Sequence, residues 1–225
     1  MTGPEMQRMK TEPQIRIIPM LTVLALCITL LCGCGGFDAG GYVLGGLDAL
    51  YKGEVSEEYL ALVADSREDC LAMYEENMLN EARNFCKMFY VAVNSEPDES
   101  LVQLYKDIYA KSRYEVTSTT KTDEGYTVEL TVYPVDIFRT SAEALDAYDS
   151  DFNQRFSDGD FAEISGSELE KEYLLGMVNV ISEAVPDMGY LDPVTVTLHL
   201  TLDENGIYQT DDGEYAQLHN SIIAY

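Results

Sequence analysis

Asp149-x-Asp151-x-Asn153 repeats the spacing of the first three oxygen ligands of a calcium-binding loop, and Asp160 falls where that loop puts its last ligand. The match stops there. Gln154 stands where the turn needs Gly, and Asp160 replaces the bidentate Glu. Phe152 and Phe156 carry a helical apolar stripe straight through the segment. A solvated acidic helix face is the expectation, leaving Asp158 and Asp160 as weak cation candidates in the loop Ser157-Asp158-Gly159-Asp160. Other chemistries find less. The two histidines, His199 and His219, are not a pair at the spacing zinc needs. There is no G-x-S-x-G and no glycine-rich phosphate loop. Cys70 and Cys86 fall on one predicted helix, where their separation is a rise of about 24 Å, too far for a disulfide. They read as small buried apolar residues. No catalytic residue and no cofactor is assigned.

The cysteine with a legible fate is Cys34. Lys10 and Arg16 precede an apolar run from Ile17 to Leu31, broken by Pro19 and a few Thr, and the run ends in Leu31-Cys32-Gly33-Cys34. That length suits a signal-peptide core and is short for a membrane span. The order of basic segment, apolar core and box resembles the lipobox of bacterial lipoproteins. The resemblance implies cleavage after Gly33 and a diacylglycerol thioether on Cys34. Residues 1–33 are then a signal peptide, 34–41 a lipidated cysteine with a Gly-rich tether, and 42–225 one globular domain on the outer side of the membrane.

The net charge is −26, from 14 Lys+Arg against 40 Asp+Glu. Such a balance argues against nucleic acid as a partner, because that needs a basic footprint. It also argues against the domain lying flat on anionic lipid. The expected membrane contact is through the lipid anchor, with an envelope protein or a small ligand as a further partner.

These residues hang on a plan that the hydrophobic period lays out. Val43, Leu47, Leu50 and Tyr51 recur at helical spacing up to Lys52-Gly53, and Gly41-x-x-x-Gly45 reads as tether running into helix, with close helix approach as the alternative. A short helix follows Ser56. Ser66 with Asp69 opens a long one to about Val91, whose stripe is Leu71, Tyr74, Met78, Ala82, Phe85 and Phe89. After a break at Asn94–Pro97, Asp98 caps a helix facing inward through Leu101, Leu104, Tyr105, Ile108 and Tyr109. The period then becomes 2. Tyr114, Val116, Ser118 and Thr120 share one strand face, and Tyr126, Val128, Leu130 and Val132 another, around a turn at Thr122–Gly125. Thr140-Ser141-Ala142-Glu143 and Ser165-Gly166-Ser167-Glu168 read as capping boxes. The first helix shows Leu145, Tyr148, Phe152 and Phe156, the second Leu169, Tyr173, Met177, Val180 and Ala184. Val194 to Leu202 alternates most cleanly, a short return strand reaches Thr210, and a last helix spans about 212–223. His219 on it reads as a surface or boundary residue. The class is α+β, with several helices packed on one face of a small antiparallel sheet.

Leu47-Asp48-Ala49-Leu50-Tyr51-Lys52-Gly53-Glu54, leading into a second helix, is similar to the start of uncharacterised Gram-positive lipoproteins with NTF2-like or cystatin-like domains. The hairpins at Tyr114–Val135 and Val194–Thr210 fit that plan. The resemblance implies a cone-like domain with helices cupped by a curved sheet, and no particular activity. NTF2-like enzymes place an acid with a hydrogen-bonding Tyr or His in the cup, and the sequence alone maps no such set. The functional expectation is a non-enzymatic ligand- or partner-binding lipoprotein. The alternatives are an NTF2-like enzyme on a small or cell-wall-derived substrate, and a structural role in envelope assembly.

Overall fold

The computed structural model describes residues 36–88, 97–204 and 206–225. The signal segment, the box Leu31, Cys32, Gly33 and Cys34, residue Phe89 and most of the break before Pro97 lie outside the described residues.

Asp38 accepts a hydrogen bond from the Gly41 backbone N–H at 2.8 Å and opens α1, Ala39–Leu47. Gly40 and Gly41, expected in a tether, therefore sit inside a helix. The chain continues into a π-helical turn, Asp48–Lys52, and ends it at Gly53 with φ 68°. That left-handed conformation suits glycine. Helix α2, Glu57–Leu60, is capped by Ser56. Its Tyr59 covers Gly45 so closely that a Cβ there would lie 2.6 Å from the ring. Gly45 thus allows a close helix approach, the lesser of the two readings of Gly41-x-x-x-Gly45.

Helix α3, Arg67–Met88, begins with reciprocal bonds between Ser66 and Asp69. Met78, Ala82 and Phe85 are buried as expected, as are Cys70 and Cys86, but Leu71 is exposed and Glu81 takes a place on the buried face. In α4, Glu99–Tyr109, all five expected side chains are buried behind the Asp98 cap.

Strands β1 (Arg113–Lys121), β2 (Gly125–Tyr133), β3 (Val194–Leu202) and β4 (Tyr208–Gln209) form one antiparallel sheet in the order 1-2-3-4. Val128, Leu130, Val132, Val196, Leu198 and Leu200 make its apolar face. Helix α1 packs against β1 and β2, and α7 (Asp212–Asn220) against β3. The α+β class is as expected. The register shifts between Val116 and Ser118, so that Val116 faces Leu130 but Ser118 faces Glu129. A bulge of this kind inverts the alternation beyond it. Thr119 and Lys121, not Ser118 and Thr120, continue the face of Tyr114.

Between β2 and β3 run α5 (Ile137–Asp158) and α6 (Gly166–Ala184). Helix α5 starts one turn earlier than the expected box, because Thr140 donates to Asp136 and Ser141 to the Ile137 carbonyl. Its Phe156 is exposed, not core. The Ser165–Glu168 box is present in both directions. The fully buried side of α6 is Leu174, Met177, Val178 and Ile181, so that, of the expected stripe, only Met177 is fully buried.

Candidate functional site

The buried face of α3 carries one carboxylate, Glu81, only 4% exposed. Its Oε1 lies 3.2 Å from Nε2 of His219 on α7. The other ring nitrogen, Nδ1, is 2.9 Å from the hydroxyl of Tyr51 in the π-helical turn. That hydroxyl is 3.4 Å from the hydroxyl of Tyr215. One arrangement satisfies all four groups: Tyr215 donates to Tyr51, Tyr51 donates to Nδ1, and the Nε2–H donates to Glu81. The four come from three separate elements, so the network ties α3, α7 and the end of α1 together.

Aromatic rings close over it. Tyr51 stacks on Tyr109 at 5.0 Å, and the Tyr105 and Tyr225 hydroxyls lie 3.4 Å apart. Burial pushes the Tyr51, Tyr105 and Tyr109 phenols well above their ordinary value, and the Glu81 carboxylate adds to the shift. Tyr215 and Tyr225 are raised for the same two reasons, in the same order, against an opposing hydrogen bond each. A phenolate would face both a low-polarity environment and a nearby acid. All five therefore stay neutral at physiological pH.

An acid–imidazole pair is the material of general acid–base catalysis. Here, however, both ring nitrogens of His219 already have protein partners, and none is left to face a substrate. The geometry positions α7. His219 is partly exposed, as a boundary residue should be, but it is the hub of the network. Glu81 does not stand out in the hydrophobic period because it is charged. The available signal was its spacing, three residues after Met78 and four before Phe85.

On the outer side, the segment after α7 builds a groove. The Val135 N–H donates to the Ile222 carbonyl at 2.8 Å, and the Ala224 N–H donates to the Val135 carbonyl at 3.0 Å. Beside this pairing lies an open groove of about 600 Å³, walled by Pro134, Arg139, Tyr190, Asp192, Val194 and Ser221 among others. Tyr190 is 43% exposed and donates to the Lys111 carbonyl at 2.7 Å. It meets Tyr133 edge-on, and the Arg113 guanidinium lies 4.0 Å from the centre of the Tyr133 ring. Arg139 is exposed and forms no ion pair among the described residues. Arg139 lines the groove together with Asp192, while Arg113 pairs with Glu115 at 3.2 Å and Lys111 Nζ donates to the Val185 carbonyl. No motif in the sequence announces this groove, since its walls come from three separate stretches, 134–139, 190–194 and 220–224.

The other expected residues fall elsewhere. Asp158 ends α5, and Gly159, with φ 88°, turns the chain so that the Gly159 and Asp160 N–H groups bond back to Phe156 and Arg155. Asp158 accepts from Gln154, and Asp160 pairs with Arg155. This is a helix C-terminal cap. Among the described residues no three His, Cys, Asp or Glu are grouped to hold a metal. Cys70 and Cys86 are free and buried, and burial pushes both thiols up, away from the reactive thiolate. Among the described residues no helix is long and apolar enough to cross a membrane.

No family model and no curated protein matches the chain. The fold is similar to that of the solved protein ycdA from Bacillus subtilis, described as a candidate lipoprotein, with a TM-score of 0.58 and 16% sequence identity. The match covers 84% of this chain and 56% of that one, so this chain spans little more than half the neighbour's length. At that identity the likeness speaks for the fold.

Proposed function

We propose that this chain is a lipoprotein, anchored through Cys34 on the outer face of the cell membrane, whose α+β domain binds a ligand or partner and does not turn it over. The anchor rests on the run Leu31-Cys32-Gly33-Cys34 behind a basic and then apolar segment. The candidate-lipoprotein description of ycdA, with its similar fold, supports it. The NTF2-like or cystatin-like plan belongs to the same reading, supported by helices packed on the apolar face of paired hairpins.

One observation carries the binding half. Arg139, Tyr190 and Asp192 line a single groove, and Arg139 has no acid paired with it among the described residues. An unpaired guanidinium beside an exposed aromatic wall suits a ligand with an anionic group and a flat or apolar body. The rival reading, an NTF2-like enzyme, draws on Glu81, His219 and Tyr51, the acid, His and Tyr that such enzymes place in the cup. The engaged imidazole nitrogens weigh against it, and the groove is not lined by Glu81.

Two measurements test the reading. Cys34→Ser should leave the precursor uncleaved or, if it is cleaved, move the protein from the detergent phase to the aqueous phase, and normal cleavage with unchanged partition would refute the anchor. Native mass spectrometry of residues 35–225, after exposure to lysate and medium of the source cells, should show a discrete added mass. Arg139→Ala should abolish it. Added mass that persists in Arg139→Ala would place the ligand elsewhere.

A further inference from the structure

The first described residues are seated, not trailing. Phe37 stacks on Tyr208 with ring centres 4.3 Å apart, and it also touches Tyr126 and Tyr42 at 5.6 and 5.4 Å. The Tyr42 hydroxyl donates to the Tyr208 carbonyl at 3.1 Å. These rings sit at one end of the sheet, because Tyr126 opposes Lys121 and Leu200, and Tyr208 opposes Leu202. The C-termini of β1 and β3 and the N-termini of β2 and β4 meet there. Only Gly35 separates Gly36 from Cys34. Two residue steps reach about 7 Å even when fully extended. An acyl chain on Cys34 therefore cannot enter a bilayer unless this end of the sheet comes close to it.

The groove is at the other end. Pro134 follows the last residue of β2, and Val194 is the first of β3. Strand β2 has nine residues, so the two ends are about 27 Å apart at ~3.4 Å per residue. We propose that the strand-end face around Phe37, Tyr126 and Tyr208 rests against the membrane, and that the Arg139–Tyr190 groove at the opposite end points away from it. This orientation rests on lipidation of Cys34 as proposed above. Covalent reach, not charge, sets it. Asp123, Glu124, Asp203 and Glu204 in the two turns at the anchored end favour standing off an anionic surface over embedding in it. The rest of the acidic surface resists lying down. One consequence is a restriction on the ligand: the groove takes a soluble or wall-side molecule with an anionic group, not a lipid of the membrane that holds the protein.

The test uses the full-length chain, processed and lipidated in cells and reconstituted in vesicles containing an energy-acceptor lipid. Glu124→Cys and Asp192→Cys place a donor dye on exposed positions at the two ends, and the buried Cys70 and Cys86 give the background in the unsubstituted protein. Transfer to the acceptor lipid should be several-fold stronger from position 124 than from 192. In a membrane-bound protein, equal transfer or the reverse order would overturn the orientation while leaving the anchor standing. Recovery of the protein in the aqueous phase on detergent partition, with transfer from neither position, would overturn the anchor and the orientation together.

Discussion

Glu81 Oε1 lies 3.2 Å from His219 Nε2 and joins the long helix α3 to the last helix of the chain. Removing one partner of a buried polar pair strands the other, and removing His219 also takes the Nδ1 partner from the buried Tyr51 hydroxyl. Glu81→Leu should therefore cost about 1–3 kcal/mol in urea denaturation, and the double variant Glu81→Leu with His219→Leu should lose less than the sum of the two single variants. Strictly additive losses would mean that the pair does not couple the helices.

Tyr51 and Tyr109 are fully buried and held neutral, with ordinary phenol values of 10.0 pushed well upward, first by burial. A group whose folded value is raised holds more protons in the native state once pH passes its unfolded value. Its contribution is fully present below pH 10.0 and is lost as pH rises beyond. In a stepwise alkaline titration, the buried phenols should ionise together with loss of the circular-dichroism signal of the fold. Complete ionisation of all sixteen tyrosines with that signal intact would contradict the placement of these rings.

Glycine to alanine within a helix ordinarily stabilises by about 1 kcal/mol. Gly166 and Gly176 on α6 should part company on this rule. A Cβ on Gly166 meets nothing within 4 Å, but on Gly176 it would lie 2.0 Å from the Tyr148 hydroxyl, which donates to the Tyr173 carbonyl at 3.1 Å. Gly166→Ala should be neutral or slightly stabilising, and Gly176→Ala should cost about 1–3 kcal/mol by overpacking. Thermal melts of the two variants check this, and a gain at Gly176 would show that Tyr148 is free to move.

Much of the fold is written locally. The alternation of β2 and β3, the Asp98 cap with its five inward residues on α4, and the Ser165–Glu168 box depend on spacing within one segment, and each is found as read. What spacing does not carry is which of two neighbouring faces a helix buries. Leu71 and Phe156 are apolar and in phase, yet among the described residues both are exposed. The bulge that turns Ser118 outward depends on pairing with Glu129, not on the strand's own pattern. The Glu81–His219 network is hidden for the same reason. Its members are far apart in sequence, and a charged residue in an apolar stripe gains its meaning only from the partner packed against it.

Glu214 offers a last case, because it closes the free edge of β3. Beyond its short pairing with β4, that edge would leave backbone donors unpaired. One Glu214 oxygen accepts the His199 backbone N–H at 2.7 Å and the Thr210 hydroxyl at 3.1 Å, and the other lies 2.6 Å from His199 Nδ1. Burial pushes this carboxyl up, but the bonds from His199 and Thr210 outweigh it and hold the group below its ordinary 4.5. A carboxyl lowered in the folded state contributes stability that is present above the unfolded value and fades as pH falls through the folded one. Glu214→Gln turns an amide N–H₂ towards one of these donors, so it should cost about 1 kcal/mol at neutral pH. The gap between variant and parent should narrow as the parent is acidified, since protonation removes the same interactions. Urea denaturation at neutral and acidic pH reads both effects, and a gap that stays constant through the acid range would show that Glu214 does not hold the edge as a carboxylate.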